Sequence, residues 1–425
     1  MKRVLVVNSN SLNADNATGI TLRSFFSQID TDCIMELYWN TTAEVSDQLD
    51  VRSQKLKFRF LSAGAFLNTD RVKQTSSAVR KMAVTPLPNE RKSRVVKAVT
   101  VIRQWLALRM DMSAVHINQD VLKRIQEFSP QVIYTLGGGV SALRTAYALS
   151  RRLELPIVIH FMDNWRHGIQ WDDNPLLKRY KRVLRKYCDK CYRRSTACIA
   201  VSPKMAEEYT RETGVYHSTL MNAIQVSEYM MEPRKPDGVL HFVYAGGLHL
   251  GRDEMLRTLG ELIAKVSSDT GKKADLVIYT SEENIAMYSG RFEALDVVHF
   301  RSAVAHDQIK TVYQQADILV HAENTAWIRN TFFRYSVSTK IPEYLATGRP
   351  VLFFGPADTY LYDFLKQNGI AYAVSTRKEA EEALHKLLCG AGEELKEAQR
   401  YAMEHFDVSA AVRSLCETID RVELP

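Results

Sequence analysis

The chain has 425 residues, enough for two or three domains, and its 46% hydrophobic and 25% charged content is that of a globular protein rather than a disordered one. Six scattered cysteines are too few for a disulfide framework in a chain of this size, which points to a reducing compartment. The apolar run Val4-Leu5-Val6-Val7 is too short for a signal-peptide core or a membrane span, so a cytoplasmic protein is expected.

Along the chain, short β-branched apolar runs alternate with longer amphipathic segments, the pattern of parallel sheets covered by helices. The first run, Val4 to Asn8, leads into Ser9 to Gly19, rich in Ser, Asn and Asp, with a helix expected from Ile20. Gly19 is therefore a candidate for close backbone approach to an anion at a helix start, or a small residue in a strand-to-helix turn. Asp30-Thr31-Asp32 is a D-x-D triplet of the kind that holds divalent ions, but its place before the strand Cys33 to Tyr38 favours a polar turn. From about Asn40 to Ala114 the alternation weakens, and a basic helical insertion over about residues 50–115 is expected. Between Arg71 and Arg109 ten basic residues face the single acid Glu90. The stripe Val95, Val99, Ile102 and Leu106 has helical period, which suits either a helix packed on the domain or one lying on an anionic membrane surface.

Val132 to Leu136 opens into Gly137-Gly138-Gly139-Val140-Ser141-Ala142. The run resembles the dinucleotide fingerprint only superficially, with Ala142 in place of the third glycine and no place in the first βαβ unit, so no NAD site and no cofactor is expected. Ile157 to Phe161 ends in Met162-Asp163-Asn164-Trp165-Arg166-His167-Gly168, which sets acid, amide, indole, guanidinium and imidazole at the carboxyl end of a strand. Open α/β sheets bind ligands there, so Asp163, Asn164, Trp165 and His167 are site candidates. His160, within the strand, points into the same site or is a satisfied core histidine. Lys178 to Arg194 carries nine basic residues against Asp189 alone, a second signal for an anionic partner. No zinc-finger or RNA-recognition spacing appears, so nucleic acid is not expected. Cys188 and Cys191, with Cys198 nearby, lack a fourth metal ligand and read as one buried helix face.

After the strand Cys198 to Val201, the proline- and charge-rich segment Tyr229 to Gly238 reads as a hinge. The alternation then restarts with His241 to Ala245, Leu276 to Thr280, Val297 to Phe300, Ile318 to His321 and Val351 to Phe354. The first of these strands runs into Gly246-Gly247-Leu248-His249-Leu250-Gly251-Arg252 and a helix from Asp253, where backbone donors and a guanidinium suit a phosphate. Ser338-Thr339-Lys340-Ile341-Pro342-Glu343 starts another helix: Ser338 is placed to cap it, Lys340 sits in its positive first turn, where an anion would offset the unfavourable charge, and Glu343 is one turn on, placed to accept from a ribose diol. No metal constellation is found.

Together these residues resemble the GT-B fold and, more narrowly, glycosyltransferase family 4, over nearly the whole chain and most strongly from Ala197 onward. Ile199 to Ser202 is similar to the family's strand ending in serine, and Met221-Asn222 to its asparagine turn. Tyr244 to Arg252 resembles its phosphate loop, Val298 to Tyr313 its base-side strand and helix, Ser338 to Pro350 its donor-sugar and ribose helix, and His405-Phe406 the start of its returning tail. The resemblance implies an α/β protein of two Rossmann-like, doubly wound domains facing a cleft: residues 1–228 on the acceptor side, 239–404 for the nucleotide sugar, and a C-terminal helix, 405–425, crossing back to the first domain. It implies metal-independent transfer, with retention, from a UDP- or GDP-sugar to a sugar or lipid-linked acceptor, in cell-surface polysaccharide or glycolipid synthesis by a protein that is cytoplasmic or peripheral on the membrane. Asp163, Arg252 and Lys340 would be catalytic; Gly19, Gly246, Gly247, His249, Arg252, Ser338, Lys340 and Glu343 would hold the donor; His160, Asn164, Trp165 and His167 would serve the acceptor. Tyr335 stands where the family often has a first glutamate, Met162 where it has a histidine, and Gly247 where it has an arginine. An epimerase of nucleotide sugars and a non-catalytic nucleotide-sugar-binding protein are the alternatives.

Overall fold

A computed structural model describes residues 1–39, 48–58, 105–167, 175–324, 334–390 and 396–425. Most of the basic insertion, including Val95, Val99 and Ile102, lies outside the described residues. Contacts divide the chain into unit 1, made of Met1–Ala223, Asn330–Ser336 and Val408–Pro425, and unit 2, made of Ile224–Arg329 and Val337–Asp407.

Unit 1 holds β1 (Val4–Val7), β2 (Ile34–Tyr38), β3 (Arg52–Lys55), β4 (Lys57–Phe58), β5 (Val115–His116), β6 (Val132–Leu136), β7 (Ile157–Phe161), β8 (Ala197–Ala200) and β9 (Tyr216–Thr219). Seven of them form one sheet in the order β3-β2-β1-β6-β7-β8-β9, with all neighbours parallel. β1, β7 and β8 are buried at every position, as strands covered on both faces must be. β4 and β5 pair antiparallel and bring the two ends of the insertion together.

Its helices start where the sequence supplies a cap. Asn16 accepts from the Gly19 N–H at 2.9 Å to begin α1 (Ala17–Phe26), and Asn118 accepts from Val121 to begin α2 (Gln119–Phe128). α3 (Val140–Leu153) follows the glycine run, and α4 (Pro175–Tyr192) carries the second basic segment. α5 (Pro203–Thr213) has Ser202 as its cap, proline in its first turn and Gly214 in the left-handed conformation at its end. On α4 the residues Tyr180, Leu184, Cys188 and Cys191 are buried one turn apart, while Lys178, Arg179, Arg182, Arg185 and Lys186 are exposed.

Unit 2 has six parallel strands in the order β12-β11-β10-β13-β14-β15: β10 (Val239–Ala245), β11 (Lys273–Thr280), β12 (Val298–Ser302), β13 (Ile318–Ala322), β14 (Val351–Phe354) and β15 (Tyr372–Val374). Its helices are α6 (Arg252–Thr270), α7 (Glu282–Tyr288), α8 (Ile309–Gln314), α9 (Lys340–Ala346), α10 (Tyr360–Gln367), α11 (Arg377–Leu388) and α12 (Lys396–His405). The core joins Phe242, Leu276, Ile278, Val320 and Leu352 from the sheet to Leu256, Leu259, Ile263, Leu384 and Leu387 from α6 and α11. The last helix, α13 (Val408–Arg421), counts with unit 1, where Val408, Ala411, Val412, Leu415 and Ile419 join the core formed by Val4, Val6, Phe25, Val132 and Ile199.

The segment read as a hinge is fastened to unit 2. Arg234 is ion-paired with Asp317 at 2.8 Å and Asp237 at 2.9 Å, and the Tyr229 ring lies 6.5 Å from that of Tyr313. Among the described residues no helix is long and apolar enough to cross a membrane.

Candidate functional site

In unit 2 the carboxyl end of β10 gathers positive charge. Leu250 and Gly251 take consecutive left-handed conformations, φ 67° and 72°, which turns the chain from β10 into α6; such a conformation is costly for leucine and is met most often where a site requires it. Lys340, from the first turn of α9, reaches across to donate to the Ala245 carbonyl. It can do so because Gly246 has no side chain: a Cβ there would collide with the Lys340 ammonium. Gly247 presents its carbonyl to the Tyr244 hydroxyl at 2.7 Å, and the Lys340 ammonium lies 5.3 Å above the Tyr244 ring.

Burial, followed by the nearby Arg252 guanidinium, lowers the Lys340 ammonium to about 8. Burial first, then the charges of Arg252 and Lys340, lower His249 to about 4. Among the described residues no carboxylate lies within ion-pair distance of Lys340, and the charge of Glu343 offsets the lowering only in part, so two cations and a neutral imidazole share one corner of the fold. β13 adds His321, which bonds Glu323, just past the strand's end, at 3.2 Å. Burial alone would raise the Glu323 carboxyl, but His321 and Arg252 hold it below its usual value. Asn324 ties the loop to α6 through the Gly251 carbonyl at 2.9 Å and Glu254 at 3.0 Å.

Glu343 is buried, with 7% exposure, and accepts from Tyr313 at 2.6 Å and Tyr229 at 3.5 Å. The sequence placed it to meet a ribose diol; the structure shows the carboxylate already held by two phenols. Ser338 accepts from the Lys340 N–H at 3.4 Å, whereas the cap position itself falls to Thr339, which makes no side-chain cap bond.

In unit 1 the loop after β7 is tied down along its length. Asp163 accepts from Ser336 at 2.7 Å, Asn164 from Tyr209 at 2.7 Å, and His167 bonds Glu212 at 2.8 Å. Arg166 pairs with Asp189 at 2.7 Å over the Tyr192 ring. Trp165 lies against Gly138, where a Cβ would be 2.8 Å from the indole nitrogen. His160 is not in this loop's site. It is fully buried beside Phe25, bonds Tyr134 at 2.6 Å and is pushed down to about 3 by burial, so the core reading is the correct one.

Gly19 is corrected as well. The helix begins at Ala17 rather than Ile20, the Gly19 N–H is committed to Asn16, and the missing side chain makes room for the Ala14 carbonyl. The D-x-D triplet is a turn in which Asp30 accepts from the Asp32 N–H at 3.0 Å. Sequence reasoning passed over Asp111, whose carboxylate occupies the N-terminus of α3. It accepts from Val140 N at 2.8 Å, Ser141 Oγ at 2.5 Å and Tyr180 Oη at 2.7 Å.

Cys188 and Cys198 are buried thiols, raised to about 12 and about 11 chiefly by desolvation, so neither is a reactive thiolate. Among the described residues the group with metal-ligand spacing is Asp269, Glu381 and His385, on α6 and α11, away from β10 and its loop in sequence. There Lys265 already bonds Glu381 at 2.5 Å, one turn along from the pair Arg377 and Glu261.

Residues 76–221 match the family model described as Glycosyltransferase Family 4. No curated protein matches the chain. Among solved structures, Anabaena HepE in complex with UDP superposes with a TM-score of 0.61 at 12% identity, covering 99% of this chain and 100% of that one. Sucrose-phosphate synthase from Thermosynechococcus elongatus gives 0.60 at 12% identity, covering 98% of each chain. WaaG, a glycosyltransferase involved in lipopolysaccharide biosynthesis, gives 0.55 at 12% identity, covering 98% and 100%. At such identities the likeness is one of fold, and it extends over both sheets. The chain has the GT-B fold of two Rossmann-like units and, by its family match, resembles glycosyltransferase family 4.

Proposed function

We propose that this chain is a glycosyltransferase that moves a sugar from a nucleotide-sugar donor to an acceptor hydroxyl, with retention and without a metal ion. The observation that carries the reading is the cationic corner of unit 2, where Arg252 and Lys340 meet beside Gly246 and burial lowers the lysine to about 8, so that its charge is held less firmly than usual. A diphosphate seated there would restore the full charge of Lys340. Its own negative charge grows as the sugar leaves, and Arg252 and Lys340 then stabilise the transition state more than the bound donor. HepE is described with UDP and with UDP-glucose, which favours a uridine donor here.

His249 and the Gly246–Gly247 backbone would line the phosphates, Ser338 would brace the first turn of α9, and Glu343 would present its remaining lone pairs to the ribose. In unit 1, Asp163, Trp165 and His167 are assigned to the sugar or the acceptor, with Asp163 the candidate that touches the reacting sugar, while the buried Asn164 braces the loop against Tyr209. Deprotonation of the acceptor falls to the donor phosphate, so no protein base is required. The exposed basic face of α4 suits a lipid-linked acceptor on an anionic membrane, in polysaccharide or glycolipid synthesis.

A panel of UDP- and GDP-sugars, incubated in chelator with and without lipid-linked acceptors, tests the reading. Glycosylated acceptor in chelator is the expected result. Turnover that requires manganese would overturn metal independence, and release of an altered free sugar without acceptor would make the protein an epimerase.

A further inference from the structure

Asp163 is held by a closed ring of bonds within unit 1. Ser336 Oγ donates to Asp163 Oδ1 at 2.7 Å. Its neighbour Tyr335, 2% exposed, donates to Glu208 on α5. Next to Glu208, Tyr209 is fully buried and donates to Asn164 Oδ1 at 2.7 Å, and Asn164 is bonded through the backbone to Asp163. Residues 330–336 count with unit 1 although the chain on either side of them belongs to unit 2. The described part of this short visit spends two polar side chains on the ring.

We propose that Ser336 is a positioning residue for Asp163, and that the Tyr335–Glu208 bond seats Ser336. The inference rests on the glycosyltransferase reading, in which Asp163 meets the reacting sugar. A carboxylate two residues beyond a strand has two free torsions, and a hydroxyl donating to one oxygen at 2.7 Å removes most of that freedom. Tyr335, Tyr209 and Asn164 are nearly excluded from water, so the bonds that fix Ser336 and the loop face little competition from solvent. Asp163 itself is only half buried, which leaves it accessible to a ligand. α5 is the template: Glu208 fixes Tyr335, Tyr209 fixes Asn164, and Glu212, one turn on, fixes His167. Were Tyr335 and Ser336 present only to fill space, apolar contacts would do, and the hydroxyls would be dispensable.

The test uses the full chain and four variants: Ser336→Ala, Ser336→Thr, Glu208→Gln and the double Ser336→Ala/Glu208→Gln. UDP affinity is measured by calorimetry and turnover with the UDP-sugar and acceptor found by the panel. Ser336→Ala is expected to lower kcat about ten- to hundredfold, the scale of a small misplacement of a reacting group, with UDP affinity and donor KM within about twofold of the parent. Ser336→Thr, which keeps the hydroxyl, should recover most of the rate. The double variant should be no slower than the worse single one, because both act through one ring. An unchanged kcat in Ser336→Ala, or losses that multiply in the double variant, would overturn the proposal. Absence of UDP binding in the parent protein would instead strike the functional reading. The ring is then judged from urea unfolding of the same four variants, where strictly additive effects of Ser336→Ala and Glu208→Gln would overturn it.

Discussion

Tyr313 donates its hydroxyl to Glu343 at 2.6 Å across 30 residues of sequence, and this bond makes the glutamate part of the core of unit 2 as well as part of its candidate site. Glu343→Gln should therefore do two things. It should weaken UDP binding and also destabilise the protein by about 1–3 kcal/mol, because a neutral amide replaces the charge-assisted bonds that the carboxylate accepts from both tyrosines. Tyr313→Phe should leave UDP binding nearly intact and show only part of the stability loss. Calorimetry and urea unfolding on the two variants separate the roles; equal UDP affinity in Glu343→Gln and the parent would remove Glu343 from the nucleotide site.

The position of Lys340 gives a pH signature. In the free protein its ammonium sits at about 8, and an anion favours the protonated form. UDP affinity should be full below pH 8 and fall as the pH rises through it, by up to about tenfold per unit. Lys340→Met should bind weakly and lose this dependence, and Lys340→Ala should cut turnover roughly a hundred- to a thousandfold. A parent protein whose affinity is flat from pH 7 to 9 would contradict the assignment.

Arg252→Lys keeps the charge and loses the planar fork. If the guanidinium grips two phosphate oxygens, a point-like ammonium should cost about 1.5–3 kcal/mol of transition-state stabilisation. Near-normal kcat/KM in this variant would leave the diphosphate without its bidentate partner and the phosphate site in the wrong place.

Asp111 should matter for stability rather than for turnover. Asp111→Ala leaves the Val140 N–H, the Ser141 hydroxyl and the buried Tyr180 hydroxyl without their acceptor, for an expected loss of about 2–4 kcal/mol, while Asp111→Asn should recover part of it. Urea midpoints decide the matter, and a change below about 0.5 kcal/mol would show that water replaces the carboxylate.

The exposed face of α4 predicts salt-sensitive flotation with anionic liposomes. Each basic residue near such a surface contributes on the order of 1 kcal/mol, so Arg182→Glu with Lys186→Glu should shift the protein out of the vesicle fraction at low salt. Equal recovery with neutral and anionic vesicles would confine the basic face to solubility.

Much of this was legible in the sequence, and the gaps have physical causes. The ten apolar runs expected as strands all lie in or against β-strands of the two sheets. β3 was missed because Arg52–Lys55 is a polar, largely exposed edge strand, and β9 and β15 because edge strands need no long apolar run. Lys340 and Arg252 could be picked out from charge at the ends of elements. The partners of Glu343 could not, since Tyr313 and Tyr229 lie 30 and 114 residues away and carry no local pattern. His160 was ambiguous because strand alternation alone does not say which face of a doubly covered sheet a residue meets.

The composition of unit 1 from three stretches of chain has a consequence for how the protein is made. Its apolar core is incomplete without Val408, Val412, Leu415 and Ile419, whereas the core of unit 2 draws on one nearly continuous stretch. On the ribosome the first half of the chain must wait, with β1 and the residues beneath α1 uncovered, until α13 emerges. Unit 2, synthesised later, draws on residues that emerge before α13, so the apolar core of the N-terminal half is the surface left uncovered longest during synthesis.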